Sequence, residues 1–291
     1  MSNQSKPGDE QIPVRARFAR RRFSRLVEAG EPLDLTEIAL TIAQEERPDL
    51  ELAACRESLR ELVESYREVR DSVGPTSARD EARLLCRFLA EEQGYQGNSE
   101  EYYDPDNSYI DQVLERRMGI PITLALLYIH VGRGVGLQVE GVGFPGHFLV
   151  AVVVGSERSL IDPFSGRLVT ETGLRELLDQ HQGPAVPLQD DFSQPITGRE
   201  MVLRMLNNLK GVYHQRGDYP RLLACCDRIL LLEPNDVNLL LQRIAVYQRL
   251  QQPGLALAEL GRLRAKAGNA EFRQRLEQMM LAIEIDKAPL Q

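Results

Sequence analysis

A histidine in Gly146-His147-Phe148-Leu149-Val150 opens an apolar stretch rich in β-branched residues, and an aspartate in Ile161-Asp162-Pro163 ends a short stretch from Ser159. The stretches are placed as neighbouring antiparallel strands. A His and an Asp so placed hydrogen-bond, and the carboxylate fixes the imidazole tautomer. This is the base-plus-orienter half of a nucleophilic triad. The third member belongs at a helix start, where the dipole lowers a thiol's pKa and free N–H groups stabilise an oxyanion. A strongly apolar helix begins at Gly119-Ile120-Pro121 and runs through Ile122 to about Val131. None of the four cysteines, Cys55, Cys86, Cys225 and Cys226, is near that start in sequence. A hydroxyl could serve only if Ser108 or Thr123 approached His147, and two residues along a helix turn a side chain by about 200° away.

Other polar groups offer less. The cysteines show no Cys-x-x-Cys spacing and read as small buried hydrophobes, and the remaining histidines, His130, His181 and His214, form no metal cluster with them. His130 is placed on a buried helix face, His181 in a loop and His214 on a repeat helix. Asp104, Asp106 and Asn107 make an oxygen-rich loop that turn and cap chemistry explains. Arg116 and Arg117 suit a carboxylate or phosphate, but adjacent helix positions diverge, so one of them points to solvent. Candidate binding residues are therefore Asn107, Arg116, Arg117 and Phe144, with no metal or cofactor implied.

The elements that position these residues follow from periodicity. Leu35, Ile38, Ala39, Ile42 and Ala43 recur at helical spacing after an Asp34 cap. Further helices run through Leu59, Leu62, Val63 and Tyr66, and through Ala82, Leu85, Cys86, Phe88 and Leu89. Val139 to Val142 and Phe148 to Val154 read as strands around the turn Gly143-Phe144-Pro145-Gly146, and Ser159 to Ile161 as a third. Helices first, then an antiparallel meander, predict an α+β unit, with a helix around Leu174 to Leu178 packed on it. Gly183 to Pro195, with its prolines, aspartates and glutamines, reads as a linker. From about Gly198 the chain is helical and repeats at 34 residues: Tyr213 falls on Tyr247, Leu206 on Leu240, Leu222 on Ala256 and Cys226 on Leu260. Two repeats are too few to stand alone, so they should dock on the preceding domain or on a final helix around Phe272 to Ile285. The expected organisation is an N-terminal segment at 1–30, an α+β domain at 31–182, a linker at 183–197 and helical repeats at 198–291.

The 291 residues suffice for two cores, and the composition is that of a folded chain. A net charge of -8 opposes polyanion binding at long range. The exception is Arg15, Arg17, Arg20, Arg21, Arg22 and Arg25 near the N-terminus. They read as a solvated or partner-facing segment before a nucleic-acid contact, and the first dozen residues as a loose terminus. No signal-peptide core and no long uncharged run is present, so the expected location is the cytoplasm, with no membrane span.

Longer motifs carry a resemblance. The order helix start, Gly-His strand, Asp-Pro strand resembles the transglutaminase-like superfamily, whose core is papain-like. Tyr103-Asp104-Pro105-x-Asn107-Ser108, Arg116-Arg117-x-Gly119-Ile120-Pro121-Ile122-Thr123-Leu124 and Gly141-Val142-Gly143-Phe144-Pro145-Gly146-His147-Phe148 resemble the SirB1 family, which pairs such a core with C-terminal tetratricopeptide repeats. The repeats themselves resemble that family, with Tyr213 and Pro234 spaced as it requires but Leu206 for the usual tryptophan and Gly268 for the second repeat's proline. The resemblance covers roughly residues 35 to 285. It puts His147 at the catalytic histidine, Asp162 at its orienting aspartate and Pro121 at the cysteine. Proline offers no nucleophile and no N–H, which excludes an acyl-enzyme at that position. The resemblance implies a non-catalytic scaffold that binds a protein or peptide through the vacated cleft and the repeats. The alternative is a hydrolase or acyl-transfer enzyme in which His147, oriented by Asp162, serves as base without a cysteine.

Overall fold

The structure, a computed structural model, describes residues 14–287; the first dozen residues, expected as a loose terminus, fall outside it. Described residues up to Met205 form one compact unit and those from Leu206 a second.

The first unit opens with α1 (Val14–Glu28), α2 (Leu35–Glu46), α3 (Leu52–Val73) and α4 (Ala78–Cys86). The arginine-rich start is thus a helix. Its Ala16, Ala19, Phe23 and Val27, spaced by three and four residues, are buried, and α1 packs on α2. Its arginines ring that seam: Arg20 reaches Glu45 at 2.8 Å, Arg22 pairs with Glu37, and Arg15 reaches Asp49 at 3.0 Å. The Asp34 side chain caps α2 by accepting from the Glu37 N–H, and Ser77 caps α4 in the same way. Beyond Cys86, α4 widens into a π-helical turn over Arg87–Glu92, where the Gln93 N–H donates to the Phe88 carbonyl.

A short parallel pair, β1 (Gln96–Gly97) with β2 (Met118–Gly119), brackets α5 (Ile110–Arg116) and leads into α6 (Pro121–Gly134). Residues 121–129 of α6 are all buried, so its apolar character runs round the whole helix rather than along one stripe. Against it lies an antiparallel meander in the order β3 (Gln138–Val142), β4 (Leu149–Val154), β5 (Glu157–Asp162), β6 (Arg167–Val169). Register pairs Val142 with Leu149 and Val150 with Ile161. That register sets His147, two residues before β4, beside Asp162 at the end of β5. The α+β arrangement expected from the element order is present, with β6 and the β1–β2 pair added.

α7 (Glu171–Gln182) covers the sheet. Residues 183–197, expected as a linker, add Val186, Leu188 and Phe192 to an apolar layer with Val142, Phe144, Leu149, Ala151 and Leu178. Apart from a 3-10 turn over Asp190–Ser193 the segment is irregular, but it is packed, and Pro195 bridges Val142.

The second unit comprises α8 (Gly198–Arg216) from Leu206 on, then α9 (Tyr219–Leu232), α10 (Val237–Arg249), α11 (Pro253–Lys266) and α12 (Ala270–Lys287). Both ends of α9 fall on those of α11 at the 34-residue shift, and Leu222, Cys226, Ala256 and Leu260 are all buried. Asp218 and Asp236 cap α9 and α10. Of the two supports expected for the repeats, α12 is the one seen in this unit, where its Leu276 and Ile283 close an apolar cluster with Ile244, Ala256, Leu260 and Leu263.

Candidate functional site

The turn between β3 and β4 carries His147. Gly146 precedes it at φ +73°, a left-handed conformation that favours glycine. Arg204, near the start of α8, holds the turn by donating to the carbonyls of Gly143 at 2.9 Å, His147 at 3.2 Å and Phe144 at 3.3 Å. Burial lowers the Arg204 pKa and the Glu200 charge opposes that shift; an arginine remains charged throughout.

His147 Nε2 lies 2.8 Å from Asp162 Oδ1, and both residues are buried. The same oxygen accepts the Phe164 N–H at 2.9 Å. Burial raises the Asp162 pKa. The His147 hydrogen bond and charge, with hydrogen bonds from Ser165 and the Phe164 N–H, outweigh it and hold the carboxyl below the usual carboxylate range. With Asp162 ionised, Nε2 is the donor in this bond, which fixes the orientation of the ring. The hydrogen bond between His147 and Asp162 expected from the sequence is therefore present.

The start of α6 is built from the loop before α5. Asn107 is fully buried, and its carbonyl accepts from the Ile120 N–H at 3.2 Å and the Thr123 hydroxyl at 2.8 Å. Its side-chain amide donates to the Glu101 carbonyl and its Oδ1 accepts from Asn98 Nδ2 at 3.1 Å. Pro121 is the first helical residue, where a missing N–H costs nothing and the fixed φ suits the helix. The Thr123 hydroxyl is thus engaged away from any role as nucleophile, and Ser108 is buried.

Three of the four thiols are held in the protonated form. Burial pushes Cys86 up to about 12, with the charges of Asp162 and Glu91 adding to it, and pushes Cys226 up to about 11. Cys55 is raised by burial and then by the Asp111 charge. All three stay protonated at neutral pH.

The candidate binding residues separate. Arg116 is occupied by Asp104 at 2.7 Å, with Asp106 at 3.7 Å. Arg117 is exposed, at φ +57° after α5. Phe144 lies in the interior against Phe192, and Asn107 spends its polar atoms on the loop. Among the described residues no group of His, Cys, Asp and Glu could hold a metal ion.

Two rings flank His147 that the sequence reading did not assign to it. His181 lies on α7, not in a loop, and stacks on His147 with centroids 5.4 Å apart and planes inclined by 19°. Burial lowers its pKa, the His147 charge lowers it further and Asp162 opposes. Phe164 meets His147 edge-on at 6.2 Å. Gly146 and Gly97 admit these rings: an added Cβ would lie 2.6 Å from His181 Cβ and 2.3 Å from the Phe164 ring. Gly97 also donates its N–H to the Phe164 carbonyl at 3.0 Å. The His-Phe dipeptide, the Asp-Pro-Phe run and the two glycines were visible signals, but nothing local ties His181 or Arg204 to His147.

Residues 53–207, which include α6, the sheet and the His/Asp pair, match the family model described as transglutaminase-like superfamily. The chain belongs to the transglutaminase-like superfamily. Residues 209–281 match a tetratricopeptide repeat model, so the superfamily core is followed by such repeats. A UPF0162 protein of Xylella fastidiosa strain 9a5c is 39% identical over 224 residues, covering 76% of this chain and 79% of the relative. A UPF0162 protein of Vibrio cholerae is 31% identical over 228 residues, covering 78% and 84%. Human F-box only protein 21 is 31% identical over 171 residues, 55% of this chain and 26% of that protein. Among solved structures, a crystal structure of menin aligns over 94% of this chain and 78% of that chain at 12% identity and a TM-score of 0.41, a likeness too slight to carry an argument.

Proposed function

We propose that this chain is a non-catalytic scaffold that binds a protein or peptide through a degenerate transglutaminase-like cleft and its tetratricopeptide-like repeats. The observation that carries the reading is Pro121 at the start of α6, the position the family pattern gives to the nucleophile. The buried, protonated thiols and the engaged Thr123 hydroxyl support it. The motifs around Asn107, Gly119 and Gly143 support a place in the SirB1 family. We take the domains as the superfamily core at 31–182, a connecting segment at 183–197 and the repeats at 198–291, and the location as cytoplasmic; no helix among the described residues is long and apolar enough to cross a membrane. Pairing of Arg15, Arg20 and Arg22 with carboxylates of the chain argues against a nucleic-acid role for the N-terminal arginines.

One observation favours a second reading. The 2.8 Å bond between His147 and Asp162 engages Nε2 and leaves Nδ1 outside the pair, which in the neutral ring suits a base in a hydrolase or acyl-transfer enzyme acting without cysteine. The test compares wild type and His147→Ala of equal stability in capture of partners from a bacterial lysate, with release of ammonia and peptides followed in parallel. The scaffold reading expects a common set of partners and no turnover from either protein. Turnover that His147→Ala abolishes would replace it with the enzyme.

A further inference from the structure

Five rings run in unbroken contact from the surface to the His/Asp pair. Tyr103 meets Tyr102 edge-on at 5.3 Å, Tyr102 meets Phe164 at 6.0 Å, Phe164 meets His147 at 6.2 Å, and His147 stacks on His181 at 5.4 Å. At the outer end Tyr103 is 60% exposed and Tyr102 39%. Large aromatic surface left in water, held by neighbouring rings rather than free to turn, is already ordered for a partner and spares the entropy of ordering it on binding. The two residues before this pair are Glu100 and Glu101, both exposed, and neither makes an ion pair among the described residues. By contrast Asp104, just after the tyrosines, is already neutralised by Arg116 at 2.7 Å.

Aromatic faces attract cations, and adjacent unpaired carboxylates attract them further. A guanidinium is suited to both at once, because it stacks flat on a ring and pairs bidentately with a carboxylate. Nucleic-acid bases also stack on tyrosine, but their phosphates would meet two uncompensated glutamates within a chain of net charge -8. We infer that the ledge formed by Tyr102 and Tyr103 with Glu100 and Glu101 is a docking surface for an arginine-bearing basic peptide segment of a protein partner. The inference rests on the binding reading above and names the chemistry of the partner for that site.

The test is calorimetric titration of the full chain with a capped peptide of alternating arginine and glycine, and with its glutamate–glycine counterpart, at low and at physiological salt. The arginine peptide should bind, more weakly as salt rises, and the glutamate peptide should not. Tyr103→Ala should weaken binding by roughly threefold or more. Glu100→Gln combined with Glu101→Gln should weaken it and flatten its salt dependence, since the backbone groups of Glu101 that bond Asn98 and Asn107 are kept. No binding of the arginine peptide by wild type, equal binding of the glutamate peptide, or wild-type affinity in both variants would each overturn the ledge. Loss of the scaffold reading is seen separately, as His147-dependent turnover in the release assay, whatever the peptide does.

Discussion

Replacing Asp162 isolates what the buried pair contributes. Oδ1 accepts from both the His147 ring and the Phe164 N–H, and Ser165 also hydrogen-bonds the carboxylate, so Asp162→Ala strands three donors in a site that is nearly sealed. A hydrogen bond to a charged group contributes about 1.5–3 kcal/mol, so losing three of them gives an expected loss of at least about 4 kcal/mol. That is a large share of the ~5–15 kcal/mol that holds a domain together. Asp162→Asn keeps an oxygen in place, and its loss should be nearer ~1–2 kcal/mol. The pH dependence separates charge from shape. The folded carboxyl has a pKa below its unfolded value of about 3.9, so its ionised contribution is complete above that value and disappears as pH falls through the folded pKa. The gap between wild type and Asp162→Asn should therefore close in acid. Urea unfolding at a series of pH values, with m-values compared, measures both effects. A loss under ~1 kcal/mol for Asp162→Ala, or a gap that stays constant into acid, would refute the claim that this carboxylate is buried and charged.

Other outcomes are expected. Gly97→Ala puts a methyl group 2.3 Å from the Phe164 ring; it should cost about 1–3 kcal/mol in unfolding experiments and shift the His147 ring resonances in NMR spectra as Phe164 moves. Burial lowers the His130 pKa, with Asp34 opposing, while Thr36 holds its Nδ1 at 2.9 Å. Its contribution is full above the ordinary value of about 6.5 and is lost as pH falls through the folded value, so His130→Gln should flatten the stability profile in that range. Iodoacetamide applied to the native chain at neutral pH should label half-buried Cys55 first and leave Cys86 and Cys226 unmodified by mass spectrometry, because their thiolates are suppressed.

What the sequence made legible was local or periodic. β-branched stretches on either side of Gly143–Gly146 pointed to the hairpin, two short motifs to the His/Asp pair, and the 34-residue shift to matching helices whose ends coincide. What it hid depends on distance along the chain or on composition that misleads. Arg204 reaches the His147 turn across 57 residues, and His181 stacks on His147 from a helix whose packing no motif announces. The proline-, glutamine- and aspartate-rich stretch at 183–197 signals irregular backbone, yet its Val186, Leu188 and Phe192 pack into the layer over the sheet. The arginine-rich start contains a buried stripe of Ala16, Ala19, Phe23 and Val27 that the surrounding charge obscured. Asn107 and Phe144 stood out in motifs because the fold needs them at a loop and in a core.

The row of rings also makes the ledge observable by light. The chain has no tryptophan and nine tyrosines, and Tyr103 and, to a lesser degree, Tyr102 are the most exposed of the nine. Tyrosine emission is thus the intrinsic signal of the whole molecule, and a collisional quencher in solution samples these two phenols ahead of the rest. Occupation of the ledge shields them, so the unmodified protein reports its own docking without an attached dye.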